Sequence, residues 1–404
     1  MIRSGSFRIH SRSFLDWIKS REDFYRLCGI FSCHGVLTYY TCANVTKGYE
    51  NSFLSVRNLL LITVIGFLTS FNERENQMQI EITRFVDEPI IKPYHNEEIG
   101  FNVQGPSLIK VPTWVEKPLG KYYLYFADHK GDRIKMAFSD SLSGPWQIYK
   151  GGVLSLADSN FLTAKPKVPK DFDLTALEPR EVDESLRKFI PKKIDDLTIP
   201  HIASPDVHVD DLNNRILMYF HGLDEFGLQK TRVATSSDGL NFVAKEKIVG
   251  WPYFRKFSYR NEDYALSMPG VIYKRDGDIE DFKILNQLME ENTRHSAVMV
   301  RNDFLLIFFT RKGDSPERIL MTTIDLSKPI MLWRTSEPVE VLKPEKEWEG
   351  ANLPLYKSVA SAINTPVNQL RDPALFFEGG KNYLLYSVRG ENGIGIVQFS
   401  IKEP

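Results

Sequence analysis

Cysteine is scarce in this sequence, and all of it lies near one end. Cys28, Cys33 and Cys42 are the only three cysteines among 404 residues. An odd number of cysteines cannot form a closed disulfide framework, and no histidines accompany them at the spacing of a zinc site. These cysteines therefore indicate neither a disulfide-rich scaffold nor a zinc centre.

An excess of charge and a long apolar run are also missing. The formal net charge is −1, which gives no reason to expect a nucleic-acid or membrane partner for the main body of the chain. Leu59 to Ser70 is an apolar run of 12 residues, too short for a typical membrane span and far from Met1 for a signal peptide. Two interpretations stay open. Either residues 57–70 act as a targeting segment of a secreted or periplasmic protein, or translation begins at Met78 and the protein is cytoplasmic.

A repeated unit is what the sequence does contain, and its last copy is the clearest. Arg371-Asp372-Pro373 leads into a short apolar run, Gly379-Gly380 follows, and an aromatic-rich run ends at Arg389. A Gly-Gly pair between two such runs predicts a tight hairpin, and proline is tolerated at the first residue of a strand. Four earlier copies carry their leading strands near Gln104, Ala203, Pro252 and Arg294.

Most copies continue into a third and a fourth strand. Asp132 to Asp140, Thr231 to Asp238 and Arg318 to Asp325 are the predicted third strands. Four antiparallel strands recurring at roughly 40–50 residues are typical of propeller blades, so we predict an all-β, five-bladed propeller. The last copy lacks an outer strand, and we expect residues ~80–91 to supply it and close the ring. The predicted domains are an extension at 1–77 and the propeller at 78–404.

Two insertions interrupt the repeat. Residues 158–200 include Leu174 to Ile190, for which we predict a helix, and residues 344–369 form a second loop. Insertions on a rigid scaffold often shape a binding site, although a simple surface excursion is the alternative.

Strand order predicts where functional side chains gather. The first strand of each blade lines the central channel, and the second strand returns to the face on which the first one starts. Carboxylates, histidines and arginines should therefore converge there from several blades, and buried unpaired charge is costly to stability. We interpret His129 as an ordinary loop residue. The candidates are Gln104, Asp206, His221, Arg255, His295, Arg311, Glu317, Arg371, Asp372 and Arg389.

The five-bladed pattern, the Arg-Asp-Pro run and the Ser-Asp-Gly turns resemble the glycoside hydrolases of the arabinanase, levansucrase and invertase type, including family 43. The resemblance covers residues ~80–404. It implies hydrolysis or transfer of glycosyl units by three acidic residues that serve as base or nucleophile, pKa-setter and general acid. It also implies a carbohydrate substrate and no cofactor. Family analogy alone would allow a calcium ion in the central channel, and no ligand spacing in the sequence supports one.

One departure from the family pattern is visible. Family 43 carries its base in an Asp-Pro pair of the first blade, where this sequence has Gly105-Pro106. The second blade has Ser204-Pro205-Asp206, and only the last blade keeps Asp372-Pro373.

Glycosidic cleavage needs a proton donor at the leaving oxygen and a carboxylate opposite it. We assign the carboxylates to Asp206 and Asp372, as base and pKa-setter in either order, and the acid to Glu317 or His295.

Four arginines exceed what a neutral sugar needs, which indicates an anionic saccharide, carrying uronate or sulfate, because guanidinium groups suit such anions. The substrate-binding candidates are Gln104, His221, Arg255, Arg311, Arg371 and Arg389. Two alternatives to a hydrolase stay open: a carbohydrate-binding propeller without activity, or a lyase or transferase on the same scaffold. The oligomeric state is left open.

Overall fold

The structure is a computed structural model, and it describes residues 78–177 and 181–402. The expectations for the cysteines and for a targeting segment lie outside the described residues. Within the described part of the chain, no helix combines the length and apolar character required to cross a membrane.

The predicted five-bladed propeller is confirmed, because the strands form five antiparallel sheets with the predicted order. Four sheets have four strands, and the first blade carries one additional short strand, β6, paired with β4. The strands up to the end of the second blade are β1 (Gln79–Arg84), β2 (Gln104–Lys110), β3 (Tyr122–Ala127), β4 (Arg133–Ser139), β5 (Gln147–Ile148), β6 (Leu154–Ser155), β7 (Ile202–Asp210), β8 (Arg215–Glu225), β9 (Leu228–Ser236) and β10 (Val243–Ala244).

The remaining three blades follow in chain order. They comprise β11 (Arg255–Tyr259), β12 (Glu262–Ser267), β13 (Val271–Arg275), β14 (Phe282–Gln287), β15 (Thr293–Arg301), β16 (Phe304–Arg311), β17 (Ile319–Asp325), β18 (Val339–Leu342), β19 (Arg371–Glu378), β20 (Lys381–Ser387) and β21 (Ile394–Lys402). The first strand of each blade, β2, β7, β11, β15 or β19, forms one edge of its sheet. These five edges surround the axis.

The ring closes as predicted, by pairing of β1 with β21. Gln79 lies opposite Lys402, and Arg84 lies opposite Val397. The expected strand at ~80–91 was too long, because β1 ends at Arg84 and Ile91 makes only an isolated bridge to Ile394. Pro89 intervenes, and a proline has no N–H to donate to a ladder.

A partly buried ion pair strengthens this closure. Arg84 donates from Nε and Nη2 to the two carboxylate oxygens of Glu349, at 3.1 and 3.0 Å. The Tyr386 hydroxyl donates to the same carboxylate at 2.8 Å. Burial and the neighbouring Glu349 charge raise the pKa of Tyr386 well above its ordinary value, so the phenol stays protonated and keeps donating.

Apolar and aromatic side chains fill the spaces between neighbouring blades. Tyr125 of the first blade and Phe242 of the second meet edge to face, with ring centroids 5.8 Å apart. Met136 and Met218 belong to the same buried cluster. Packing between blades therefore accounts for many of the aromatic residues.

The first insertion differs from its prediction. Instead of one helix over Leu174–Ile190, the described residues form two short 3-10 turns, Leu174–Ala176 and Glu184–Phe189. Each turn begins at its own cap, because Asp173 accepts from the Thr175 amide and Asp183 from the Ser185 amide. A short helix, α1 (Lys193–Thr198), leads into β7.

Candidate active site

Backbone irregularities near the starts of the innermost strands direct side chains to the axis. The pairing register shifts between Gln104 and Ser107, between Ala203 and Asp206, and at the same place in β15 and β19. Such bulges re-aim side chains and are frequent beside active sites. Four residues at or just before these starts have positive φ, and they are Gly105 (64°), Ser204 (50°), Tyr253 (58°) and Asp372 (48°).

Three of these four residues are not glycine, so their conformation is strained. A left-handed conformation costs a non-glycine residue on the order of 1–3 kcal/mol, and it persists where the surrounding structure enforces it. Ser204, Tyr253 and Asp372 are all buried. Other non-glycine residues with positive φ also occur in the described chain, but these three lie buried at or just before the starts of innermost strands.

His295 and Asp372 form the centre of the site. The His295 Nδ1 and Asp372 Oδ1 atoms are 2.9 Å apart, an ion-pair distance. The second carboxylate oxygen of Asp372 accepts from the Ser387 hydroxyl at 3.1 Å. The Tyr253 ring lies against His295, with centroids 4.6 Å apart.

The titration of this pair favours an ionised aspartate and a neutral imidazole. Burial lowers the pKa of His295, and the Asp372 charge only partly opposes it. Burial alone would raise the pKa of Asp372, but its interaction with His295 holds that pKa below the ordinary value. The two groups titrate as a pair.

Glu317 lies beside this pair with one oxygen unused. Its Oε2 contacts Arg294 Nη1 at 2.9 Å and Arg371 Nε at 3.1 Å. Its Oε1 is buried and has no hydrogen-bond partner. A buried polar atom without a partner is costly, and such atoms in native structures commonly mark functional sites or bound water.

Arg371 is fully engaged within the protein. Its Nη1 contacts Glu391 Oε1 at 2.7 Å and the Ser361 carbonyl at 3.1 Å, and its Nη2 donates to Gln369 at 2.7 Å. Arg371 therefore holds Glu317 and Glu391 in place and has little capacity left for a substrate.

Glu391 is a central residue that the sequence analysis missed. It is wholly buried and contacts His129 Nδ1 at 3.0 Å, and it accepts from Asn102 Nδ2 at 2.7 Å. Burial would raise its pKa, but His129 and Arg371 hold it well below the usual range. The turn after β20 returns to the axial face, and our expectation stopped at Arg389, two residues early. His129 is accordingly more than an ordinary loop residue.

Asp206 is not brought into this cluster. Its Oδ2 lies 2.7 Å from His208 Nε2 and accepts from the Lys256 amide at 2.9 Å. Burial acts to raise the pKa of Asp206, yet the His208 charge and hydrogen bond lower it overall. Within residues 78–177 and 181–402, no hydrogen bond or ion pair joins Asp206 to Asp372.

Gln104 and Arg255 occupy the channel wall beside the cluster. Gln104 accepts from the Ser204 hydroxyl at 3.4 Å, and its own Nε2 has no hydrogen-bond partner. Arg255 donates to the carbonyls of Ser296, Ser204 and Pro205 at 2.8, 3.3 and 3.2 Å. Its Nη2 is buried and without a partner, so one strong donor is left over.

The other three candidates lie around these groups. The His221 ring contacts the Tyr253 ring at an interplanar angle of 44°, with centroids 4.5 Å apart, and burial lowers the pKa of His221 well below its ordinary value. Arg311 Nη2 lies 3.5 Å from Asp314, and the backbone amide of Arg389 bonds the Glu349 carbonyl. Both arginines retain an Nε without a hydrogen-bond partner.

The described residues hold no cluster of three or more histidine, cysteine or acidic side chains arranged to bind a metal. Channel calcium therefore stays an expectation of the resemblance alone.

No family model matches the sequence. Protein R118 of Acanthamoeba polyphaga mimivirus, described as uncharacterized, is 32% identical over 349 residues, which cover 78% of this chain and 89% of the viral protein. This chain belongs to the family of R118. Membership of the R118 family assigns no activity to this chain.

Solved structures similar to the chain include family-43 glycoside hydrolases, as the resemblance predicted. A thermostable family-43 glycoside hydrolase has 13% identity and a TM-score of 0.45, covering 74% of this chain and 88% of its own. A β-xylosidase/α-arabinofuranosidase of family 43 from a compost metagenome has 11% identity and a TM-score of 0.47, covering 80% and 98%. An N-acetylgalactosamine deacetylase from F. plautii has 10% identity and a TM-score of 0.47, covering 79% and 95%. With TM-scores below 0.5, these similarities carry no argument about activity.

Proposed function

We propose that this protein is a glycoside hydrolase whose chemistry takes place at the propeller axis. The carrying observation is that two buried carboxylates, Glu317 and Asp372, both lie beside His295 in one cluster, and that Glu317 leaves one oxygen without a hydrogen-bond partner. Glycosidic bond cleavage by most such enzymes requires two carboxyl groups, one acting as an acid and one opposite it.

The two carboxyl groups take different roles. Asp372 has a lowered pKa and stays ionised, which suits a base that removes a proton from the attacking water or a nucleophile at the anomeric carbon. Glu317 Oε1 would carry the proton that passes to the leaving glycosidic oxygen. Burial lowers the pKa of His295, so little imidazolium is present at neutral pH, and Glu317 is the better candidate for the acid.

The arginines support an anionic saccharide as the substrate. Arg255 Nη2 is a buried guanidinium donor with no partner, and a uronate or sulfate oxygen would satisfy it. Arg371 does not contribute to this preference, because its donors are taken by Glu317, Glu391, Gln369 and Ser361.

A carbohydrate-binding propeller without activity is the second candidate, and the first blade favours it. A Cβ on Gly105 would lie 3.0 Å from Ser204 Cα, so no acidic side chain fits at this position without movement. The family pattern places an aspartate there. A protein that binds a saccharide and does not cleave it would still use the remaining polar groups.

A panel of neutral and acidic oligosaccharides tests both candidates on the full chain. We expect hydrolysis by the natural protein, loss of it in Asp372→Asn, and preference for the acidic substrates that disappears in Arg255→Ala. Saccharide binding without turnover of any substrate would refute the hydrolase and favour the binding propeller. An unchanged preference in a folded Arg255→Ala protein would refute the anionic substrate while leaving hydrolysis intact.

A further inference from the structure

The two insertions meet above the axis and form a cap, defined here as residues 184–198 and 354–367. The Asn364 amide donates to the Phe189 carbonyl at 2.9 Å, and the Ser361 hydroxyl donates to Asp196 Oδ2 at 3.0 Å. A small apolar cluster lies along the same seam, and it comprises Leu186, Ile190, Ile363 and Val367.

The second half of the cap lies directly on the charge cluster. Arg294 Nη1 donates to the Val359 carbonyl at 3.1 Å, and Arg371 Nη1 donates to the Ser361 carbonyl at 3.1 Å. The Ile363 amide donates to Glu391 at 3.3 Å. These contacts place the cap over the starts of β15 and β19.

Beneath the cap, the reactive groups are shut off from solvent. Glu317 is 0% exposed and Asp372 and His295 are 1% exposed, so nothing as large as a sugar reaches them in this conformation. The same space contains polar atoms that lack a partner within the protein. They are Gln104 Nε2, His221 Nδ1, Arg255 Nη2 and Glu317 Oε1. Such atoms need ligand hydroxyls or water, which must come from outside.

The first half of the cap is far less secured than the blades. Its regular structure is one 3-10 turn and the six-residue helix α1, and only three of its side chains, Leu186, Ile190 and Thr198, are buried. Segments with few buried apolar contacts and short hydrogen-bonded stretches open locally at low free energy, whereas core strands do not.

We propose that the cap is a gate: residues 184–198 separate from residues 354–367, and this opening admits the ligand to Glu317 and Asp372. The saccharide identity of that ligand rests on the proposed function, but the opening does not. The seam between the two insertions is the element that parts, because residues 184–198 bury only three side chains and each half has its own contacts to the propeller.

A disulfide across the seam tests this proposal without using hydrolysis. The full chain, with Cys28, Cys33 and Cys42 replaced by serine, receives Asp196→Cys and Ser361→Cys, whose short side chains already meet. Ser204→Cys adds a reporter thiol at the axis, where the native side chain is 1% exposed. A maleimide of sugar size is applied, and its rate of reaction at residue 204 is followed by peptide mass spectrometry.

We expect the reporter to react when the seam cysteines are reduced, and at least 100-fold more slowly when they are joined. Equal rates in the two states would overturn the proposal, because the ligand path would then lie elsewhere. A reporter that reacts only after denaturation, even with the seam reduced, would also overturn it, because the cap would not open.

If Ser204→Cys fails to fold, amide hydrogen exchange of the natural chain tests whether the cap opens. The amides of Ile199 and Asn364 should exchange at least 100-fold faster than amides in the middle of β8, and equal protection would contradict the gate. Absence of hydrolysis in the oligosaccharide panel would defeat the proposed function and leave both of these measurements valid.

Discussion

Two glutamates of this protein are equally buried and differently used. Glu349, at the ring closure, and Glu317, at the axis, are both 0% exposed and both contact arginine. Glu349 accepts from Arg84, from the Tyr386 hydroxyl and from the amides of residues 345 and 346. Glu317 receives guanidinium groups on one oxygen, and its other oxygen has no partner.

Whether both carboxylate oxygens have hydrogen-bond partners distinguishes a structural acid from a functional one. Burying a carboxylate costs free energy unless hydrogen bonds satisfy its lone pairs, so a purely structural acid is saturated. Glu349 meets that condition. Glu317 does not, and its open oxygen is the capacity that a proton donor needs.

The most sensitive test exchanges each glutamate for its amide. Glu317→Gln keeps the shape but removes the acid, so we expect hydrolysis to fall about 10²–10⁴-fold, the usual contribution of general acid catalysis. Glu349→Gln is the matched control, and its activity per folded molecule should stay near that of the natural protein. Initial rates normalised to the folded fraction measure both. A comparable loss of rate in both variants would show that an unpaired oxygen does not distinguish a functional glutamate from a structural one.

The free energy of unfolding should depend more on Glu349 than on Glu317. Glu349→Ala leaves Arg84 with Glu345 as its ion-pair partner, but it removes the acceptor of the Tyr386 hydroxyl and of the amides of residues 345 and 346. Losing several hydrogen bonds to one buried carboxylate should cost about 3–5 kcal/mol. The free energy of unfolding from urea titration measures this loss. Tyr386→Phe removes only one donor to this carboxylate and should cost about 1.5–3 kcal/mol, the usual contribution of a hydrogen bond to a charged group. A Glu349→Ala protein as stable as the natural one would show that β1 is held by its ladder alone.

The free energy of unfolding should also depend on pH, because His201 is buried. Burial lowers the pKa of His201 to about 3, whereas an unfolded histidine titrates near 6.5. The unfolded state therefore binds a proton below about pH 6.5 that the native state refuses, so stability is full above that pH and falls as the pH drops toward 3.

We expect His201→Gln to flatten this fall by a few kcal/mol between about pH 6.5 and 4. Urea midpoints at several pH values give the slope, and His95→Gln, on the exposed surface, is the control. A slope that both variants leave unchanged would place the origin of acid sensitivity elsewhere.

Asp206 gives the smallest expected effect. Its carboxylate is held by His208 and the Lys256 amide, away from the Glu317 and Asp372 cluster. Asp206→Asn should therefore cost about 1–2 kcal/mol of stability and leave hydrolysis per folded molecule within a few-fold of normal. Abolished activity in a folded Asp206→Asn protein would restore the role first predicted for it.

Position within the repeat explains why some site residues were predictable. Arg371, Asp372, Arg294 and His295 stand at the starts of first strands, and strand order alone brings such positions together. Glu391 was not predicted because it lies in the turn between β20 and β21, where no strand periodicity marks a residue. Tyr253 also escaped, since its left-handed backbone, not its sequence, turns it to the axis.

The five blades, the closing strand and the axial face could be predicted from the sequence, because strand periodicity and turn residues are local signals. Tertiary structure decided which acids are saturated and which stay open, since Glu349 and Glu317 differ only in partners brought from distant segments. It also separated two aspartates beside prolines. Asp372 precedes its proline at the bulge and contacts His295, whereas Asp206 follows its proline, lies opposite Tyr219 within the second blade and accepts from the Lys256 amide of the third. A shift of a residue or two at a bulge changes the side of the strand on which a side chain lies, and only the folded ring reveals that register.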